Sequence, residues 1–336
     1  MPRQARIDAP GALHHIMVRG IERKVIFRDA TDRDSFVARL GKVLTDTETP
    51  CYAWALMSNH IHLLLMTGQE PIARGMSRLL TGYAQDFNRR HKRHGQLFQN
   101  RYKSILCERD AYLLELVRYI HLNPLRAGIV YDLHELKAYP YSGHAVLMGA
   151  VTHEWQDQDT VLKFFDKTVG NARRKYRLFV KEGVDHGRRP DLVGGGLLRS
   201  VGGWKELREY RRQGLRIKGD ERILGSSDFV ADVLEHAEEA LEKSAHMKSQ
   251  GFDFKSLLSK VATYYKTDEE NLRSGSRQRG IARARAALCY LAVRRLKMSC
   301  KDVALELDIS PSAVSNAVIR GKHLAEEAGL EKKTLK

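Results

Sequence analysis

The feature that most restricts the fold of this chain is an apolar run from Cys51 to Met66. Apart from two histidines, the run is interrupted only at Ser58-Asn59, which divides it into two segments of strand length. A short polar interruption between two strand-like segments is typical of a hairpin turn. We therefore predict a β-hairpin, and with it a β-sheet, in the first part of the chain.

The residues on both sides of this hairpin alternate between strand-like and helix-like patterns. Leu13 to Val18 is predicted as a strand, and Thr31 to Leu44 as a helix because its apolar positions keep helical spacing. A second helix follows Pro71, a short strand covers Arg101 to Cys107, and a third helix runs from Asp110 to Asn123. The order β-α-β-β-α-β-α predicts an α+β domain, a split βαβ arrangement with an antiparallel sheet and helices on one face.

The composition predicts a polyanionic partner. The chain has 336 residues, with 57 Lys and Arg against 41 Asp and Glu, and a formal net charge of +16. Such an excess attracts nucleic acid, although a basic surface can also serve solubility alone. The four cysteines lack the close spacing that zinc sites and redox motifs need, and no stretch approaches the roughly twenty apolar residues of a membrane span. We expect a cytoplasmic protein with no membrane partner.

The length and a change of composition after Gly149 predict more than one domain. We assign residues 1–149 to the domain with the α+β pattern, 150–225 to a basic, glycine-rich helical connector, and 226–336 to an all-α domain. Helical apolar spacing in this last part predicts five helices, at residues 229–244, 254–265, 281–298, 300–307 and 310–320.

Two histidines lie on the second strand of the hairpin. Because side chains alternate along a strand, His60 and His62 share one face. Two imidazoles on an otherwise apolar strand are costly unless their nitrogens are used. Metal binding is the favoured interpretation, and hydrogen-bonded structural histidines are the alternative.

The helix from Asp110 to Asn123 offers a second pair of functional groups. Tyr119 and Asn123 are four residues apart, so they share a helical face, which is distinct from the apolar face of Leu113 and Val117. By themselves these residues have a plainer interpretation: Tyr119 would be an aromatic residue at a helix margin, and Asn123 would end the helix before Pro124.

Three segments taken in order carry a family resemblance. They are Asn59-His60-Ile61-His62, the segment from Gly95 to Lys103, and the segment from Arg118 to Gly128. Together they resemble the REP-associated tyrosine transposases, which are single-tyrosine HUH transposases. The resemblance covers about residues 1–149 and implies a ferredoxin-like HUH nuclease domain.

The resemblance also implies a chemistry. His60, His62 and Asn123 would hold a divalent cation, Mg²⁺ or Mn²⁺, and Tyr119 would attack the scissile phosphate. The product would be a 5′-phosphotyrosine adduct with a free 3′-hydroxyl, so rejoining would need no nucleotide cofactor. The implied substrates are single-stranded hairpins of repetitive extragenic palindromic (REP) DNA.

Basic and aromatic residues near these motifs are predicted to contact DNA. Phe98, Tyr102 and Trp54 are candidates for stacking on unpaired bases, although residues such as Phe98 and Trp54 are more often found in a core. The basic residues predicted to neutralise phosphates are Arg89, Arg90, Arg93, Arg101, Lys103 and Arg126.

The last part of the chain predicts a second DNA-binding domain. The helices at 300–307 and 310–320 have helix-turn-helix spacing, with Ser310 as the cap of the second helix and Pro311 in its first turn. Over about eighty residues this part resembles the DnaA C-terminal DNA-binding domain, and a helical bundle that serves only packing is the alternative. The predicted DNA contacts are Arg277, Arg279, Arg283, Arg285, Ser312, Ser315 and Asn316.

Two rival functions remain open at this point. A DNA-binding regulator could keep the nuclease fold without its activity, although the presence of His60, His62 and Tyr119 weighs against this. An HUH relaxase or replication initiator would be expected to carry a helicase or primase region, and no such region is visible in the sequence.

Overall fold

The computed structural model describes residues 7–8, 11–68, 70–187, 189, 192, 220–236, 253–276, 278–294, 296 and 298–327. The chain forms two compact units, residues 1–233 and 234–336, and each is described by itself. Within the described ranges, no helix is long and apolar enough to cross a membrane.

The first unit is built on a five-stranded sheet with the order β2-β3-β1-β4-β5. Strands β1 to β4 pair antiparallel, and β5 pairs parallel with β4. The first four strands were predicted from the sequence, and the fifth was not. The strands are β1 (Leu13–Arg19), β2 (Cys51–Leu56), β3 (His60–Met66), β4 (Lys103–Cys107) and β5 (Ile223–Leu224).

The helices of the first unit begin where side chains can satisfy free backbone N–H groups. The Asp29 carboxylate accepts from the Asp32 amide at the start of α1, at 3.0 Å, and Asp132 caps α5 in the same way. The helices are α1 (Ala30–Asp46), α2 (Ile72–Arg90), α3 (Arg109–His121), α4 (Asn123–Arg126), α5 (Leu133–Ala138), α6 (Gly143–Leu147), α7 (Gln158–Lys163) and α8 (Val169–Glu182).

Helices cover both faces of the sheet. On one face, Phe36 and Leu40 of α1 pack with Leu63 of β3, while on the other Val117 of α3 packs with Leu64. The prediction of helices on one face was therefore wrong. The reason is in β3, where successive residues of both orientations are apolar and buried, the pattern of a strand enclosed on both sides. This places α3 directly over the face that carries His60 and His62.

The core of the first unit extends beyond the predicted boundary at Gly149. Ala172, Tyr176 and Val180 of α8, spaced four residues apart, are buried in the same cluster as α3. Part of the predicted connector, residues 151–182, is thus packed against the sheet, while residues 193–219 of it lie outside the described ranges. The buried residues of α8 form a short apolar stripe with helical spacing. The basic and glycine-rich composition of the predicted connector did not indicate this stripe.

Tyr176 is the polar centre of this added layer. Its hydroxyl lies 2.8 Å from Nδ1 of His121 and 2.9 Å from Nδ1 of His144, and all three side chains are buried. A hydroxyl can donate one hydrogen bond and accept another, so it satisfies both rings. Burial lowers the pKa of His144 to about 4, so this cluster is uncharged at neutral pH.

We predict that Tyr176→Phe destabilises the first unit by about 1–3 kcal/mol, because two buried imidazole nitrogens lose their partner. Urea denaturation of the full chain would measure the change. Tyr131→Phe is the matched control, since that ring is 83% exposed and should tolerate the change. Equal stability of the two variants would contradict the structural role of the Tyr176 hydroxyl.

The second unit is all-helical in the described ranges. The sequence predicted the helices at 254–265 and 300–307 with the bounds that are found, and it missed the short helix α10. The predicted helix at 229–244 is seen at residues 227–236, most of which belong to the first unit, and its remainder lies outside the described ranges. The helices are α9 (Phe254–Tyr265), α10 (Glu269–Arg273), α11 (Arg279–Arg294), α12 (Cys300–Leu307) and α13 (Pro311–Glu327).

The turn between α12 and α13 has the local features of a helix-turn-helix. Asp308 ends α12 in the left-handed conformation, with φ of 50°, and the Ser310 hydroxyl accepts from the Ala313 amide at 3.1 Å to start α13. A Cβ on Gly321 of α13 would lie only 2.0 Å from the Ala286 carbonyl oxygen of α11. Glycine at this position allows the two helices to touch backbone to backbone.

Candidate active site

The structure brings His60, His62 and Tyr119 together. The ring centroids of His60 and His62 are 5.4 Å apart, and that of Tyr119 lies 5.8 Å from that of His62. Strand alternation turns both histidines toward α3, and the helical spacing of Leu116, Val117 and Ile120 in the core leaves Tyr119 half-buried at the helix margin. A phenol therefore stands beside two imidazoles, as the sequence predicted.

Asn123 follows Tyr119 by one helical turn. Helix α3 ends at His121 and α4 begins at Asn123, with Pro124 in the first turn where its missing N–H costs little. The backbone stays helical across this junction, because the Arg126 amide donates to the Leu122 carbonyl at 3.0 Å. Asn123 Nδ2 is buried without a hydrogen-bond partner. Because Nδ2 is a donor, this free end could bind an anion such as a phosphate oxygen, whereas a cation would be held by the Oδ1 atom of the same amide.

Burial keeps both histidines neutral. It lowers the pKa of His60 to about 4, with a further contribution from Arg19, which pairs opposite it across β1 and β3. The pKa of His62 is also well below its ordinary value, first because of burial and then because of the neighbouring His15 and His60. A neutral imidazole keeps the lone pair that a metal cation requires, so the donor set fits a divalent ion.

The two rings use their Nδ1 atoms inside the protein. His60 Nδ1 lies 2.7 Å from Asn59 Oδ1, and His62 Nδ1 lies 2.8 Å from His15 Nε2. Sequence reasoning did not identify His15. Its signal was present, because a histidine in an apolar strand raises the same question of a partner as His60 and His62.

Arg126 adds a positive charge to this group. Its guanidinium carbon lies 5.5 Å from the centre of the Tyr119 ring, and Nη2 donates to the Gly183 carbonyl at 3.1 Å. Its Nε and Nη1 are buried without partners, and burial lowers its pKa. Unsatisfied guanidinium donors beside a phenol are suited to holding an anion such as a phosphate.

Over the ranges that the structure describes, no group of three or more His, Cys, Asp or Glu side chains could hold a metal ion. The predicted set of two histidines and one asparagine lies outside that definition, because it contains an amide.

Several of the basic residues predicted to contact DNA in the first unit form ion pairs or hydrogen bonds within the protein. Arg90 is paired with Asp29 and Asp32, which commits its guanidinium to carboxylates. Arg89 pairs with Asp86, and Arg93 donates to the Gln96 carbonyl. Arg101 and Lys103 are exposed.

Of the aromatic candidates, Trp54 is a core residue. It is fully buried, and its Nε1 donates to Gln156 Oε1 at 2.8 Å. Phe98 and Tyr102 are half-buried and pack against the cluster of α1 and α2.

In the second unit, the predicted arginines fall into two groups. Arg285 points into the protein, where its guanidinium donates to the carbonyls of Asn271, Leu272, Ser274 and Ser276 around the end of α10. Arg279 and Arg283 are exposed on α11, and Ser312, Ser315 and Asn316 are exposed on α13, while Arg277 lies outside the described residues.

We predict that Arg285→Ala destabilises the second unit by about 2 kcal/mol or more, because several carbonyls lose a charged donor together. Hydrogen exchange of the α11 amides in the full chain would report the loss. Arg283→Ala, an exposed change on the same helix, is the control and should leave the exchange unaltered. Equal protection in both variants would contradict the structural assignment of Arg285.

Each of the two units contains a segment that matches a family model. Residues 10–123 match the family model described as "Transposase IS200 like", and residues 254–320 match that of the "Bacterial dnaA protein helix-turn-helix". The resemblance predicted from the sequence is thereby confirmed for both parts. The first match includes His60, His62, Tyr119, Asn123 and His15, and it ends before Arg126. One segment of the chain is thus similar to the IS200-like transposases and another to the DnaA helix-turn-helix, and no curated protein matches the chain.

The solved structures that are similar to this chain include the following two. One is described as a REP-associated tyrosine transposase bound to a REP hairpin; it shares 16% identity, covers 46% of this chain and 90% of its own length, and has a TM-score of 0.38. The other is a Deinococcus radiodurans R1 protein described as a candidate transposase, with 17% identity, coverage of 36% and 97%, and a TM-score of 0.26.

Proposed function

We propose that this protein is a single-tyrosine transposase that cleaves and rejoins single-stranded DNA hairpins through a 5′-phosphotyrosine at Tyr119. The observation that carries the proposal is the position of the Tyr119 ring 5.8 Å from His62 and beneath the Arg126 guanidinium. A phenol, neutral imidazoles and an unsatisfied cation form one group, and the two matches to DNA-acting families supply the substrate class.

His60, His62 and Asn123 are the residues that would hold a divalent cation, Mg²⁺ or Mn²⁺. Bound there, the ion would polarise the scissile phosphate and help to orient it. The neutral histidines support this assignment, because each keeps a lone pair that a cation can use.

Tyr119 is the nucleophile in this mechanism. Its Oη attacks phosphorus and loses its proton, the bond from phosphorus to the 3′ oxygen breaks, and that oxygen leaves as a 3′-hydroxyl after taking up a proton. The 5′ side stays linked to Tyr119 as a phosphodiester. A second 3′-hydroxyl then attacks the adduct and releases the tyrosine, so no nucleotide cofactor is consumed.

Arg126 has a role that follows from its unsatisfied donors. Its free Nε and Nη1 can hydrogen-bond a non-bridging phosphate oxygen, and its charge opposes the negative charge that develops during the attack. The bond from Nη2 to Gly183 holds the guanidinium over the Tyr119 ring.

The first test of this function is adduct formation. With a single-stranded REP-type hairpin and Mn²⁺, we predict that the unaltered chain gives a covalent complex on a denaturing gel. We expect Tyr119→Phe to give none, and His60→Ala or His62→Ala to reduce the complex at least ~100-fold, because the transition state loses its charge stabilisation. Hairpin binding should stay within a few-fold in all three variants.

Tyr112→Phe, a change on the same helix, is the control and should form the adduct normally. An adduct that persists in Tyr119→Phe would move the nucleophile to another residue. Hairpin binding without any adduct in the unaltered chain would instead favour a DNA-binding regulator.

A second test concerns the DNA-binding part, which we assign to the second unit. We predict that Arg279→Ala with Arg283→Ala weakens hairpin binding and lowers the slope of log affinity against log salt by roughly one unit for each phosphate that is no longer neutralised. Cleavage at saturating DNA should be unchanged. Arg285 is left intact because its guanidinium serves the fold.

Lys255→Ala with Lys260→Ala is the control for this test, since both side chains are exposed on α9 and their removal takes away the same charge. If both double variants have the same hairpin affinity and the same slope of log affinity against log salt, α11 does not contact DNA. A packing role for the second unit would then be preferred.

A further inference from the structure

A line of hydrogen bonds runs from the backbone at Leu192 through His15 to His62. His15 Nδ1 lies 3.3 Å from the Leu192 carbonyl oxygen, and His15 Nε2 lies 2.8 Å from His62 Nδ1. Both rings are buried, with 0% of His15 and 5% of His62 exposed. The rings come from adjacent strands β1 and β3, on the face that α3 covers.

The direction of these hydrogen bonds follows from the chemistry of the groups. A carbonyl oxygen only accepts, so His15 Nδ1 carries the hydrogen and donates to Leu192. In a neutral ring, His15 Nε2 then has a lone pair and accepts. The hydrogen between the rings therefore sits on His62 Nδ1, which leaves His62 Nε2 unprotonated.

His60 reaches the same state by a separate route. Asn59 Nδ2 donates to the Arg23 carbonyl at 3.0 Å, which turns Asn59 Oδ1 toward His60. That oxygen accepts from His60 Nδ1, so His60 Nε2 also keeps its lone pair. Two independent sets of contacts thus leave Nε2 unprotonated on both histidines.

We propose that His15 is a positioning residue for the metal centre, which holds His62 in the tautomer whose Nε2 can bind a divalent cation. The inference rests on the proposed role of His60 and His62 as metal ligands. Hydrogen bonds of this kind fix the orientation of a ligand imidazole and its basic nitrogen. The Leu192 carbonyl in turn fixes the tautomer of His15. A backbone group far along the chain therefore determines which nitrogen of His62 carries the hydrogen.

The chemistry of substituted side chains at position 15 makes the idea testable. Phenylalanine keeps the ring shape but cannot accept from His62. Glutamine can accept through its amide oxygen and donate through its amide nitrogen, so it can replace both contacts. His14 offers a matched control, because it is a buried histidine of the same strand that faces the opposite side of the sheet, toward Ser104.

The experiment is a calorimetric titration of the full chain with Mn²⁺ alone, without DNA. We expect His15→Phe to weaken Mn²⁺ binding roughly 10- to 100-fold, and His15→Gln to stay within a few-fold of the unaltered chain. His14→Phe should leave the affinity unchanged. Normal affinity in His15→Phe, combined with weak binding in His60→Ala, would overturn the role of His15 alone. Normal affinity in His60→Ala and His62→Ala would overturn the metal centre, and the role of His15 with it.

Pulsed electron paramagnetic resonance of the Mn²⁺-loaded protein separates positioning from direct ligation. A positioning role predicts the same number of directly bound imidazole nitrogens in His15→Phe at saturating Mn²⁺ as in the unaltered chain. One nitrogen fewer would make His15 a ligand and overturn the proposal.

A measurement on the unaltered chain covers the case in which His15→Phe fails to fold. Nitrogen-15 chemical shifts of the metal-free protein report the tautomer of each histidine. We expect His62 and His60 to carry hydrogen on Nδ1 and none on Nε2. Hydrogen on His62 Nε2 would overturn the proposal.

Discussion

The enclosure of β3 on both faces is the constraint on which the rest of the first unit depends. In a strand buried on both sides, an imidazole nitrogen without a partner is costly, because an unsatisfied polar group in a core costs as much as several methyl groups contribute. Asn59 and His15 meet this demand at one nitrogen of each ring. The Tyr119 ring of α3 lies 5.8 Å from the His62 ring, so the hydrogen bonds that satisfy the strand histidines also fix the rings beside this tyrosine.

Much of this arrangement could be predicted from the sequence. Strong periodicity indicated β1 to β4 and α1 to α3, and the two-residue spacing of His60 and His62 put both on one face. The pairing of these histidines with Tyr119 was predicted through a family resemblance, because no local pattern says which face of the sheet a distant helix will cover. The prediction of helices on one face was wrong because the side chains on both faces of β3 are apolar. The sequence of β3 therefore lacks the alternation of apolar and polar residues that marks a solvent-exposed face.

The remaining differences come from contacts between residues far apart in sequence. His15 becomes part of the site only when β1 pairs with β3 and residue 192 returns to the sheet. Arg285 has the same charge as Arg283 and lies two residues away, yet carbonyls around the end of α10 enclose it. A row of arginines therefore indicates a basic helix but does not say which of them face solvent. Whether an arginine is exposed or enclosed depends on the side of the helix on which it lies and on what packs against that side.

The parallel pairing of β5 with β4 has a consequence for the order in which the protein becomes complete during synthesis. Tyr119 is made early, but the sheet of the first unit takes up β5 only when Leu224 has been added. At about 5–20 residues per second, a ribosome needs on the order of 5 to 20 seconds to cover that interval. During this time the nascent chain carries Tyr119 and both strand histidines, and for much of it the carbonyl that fixes His15 has not yet been made. The hydrogen bond that reaches the candidate site through His15 thus becomes available only after Tyr119 has been made.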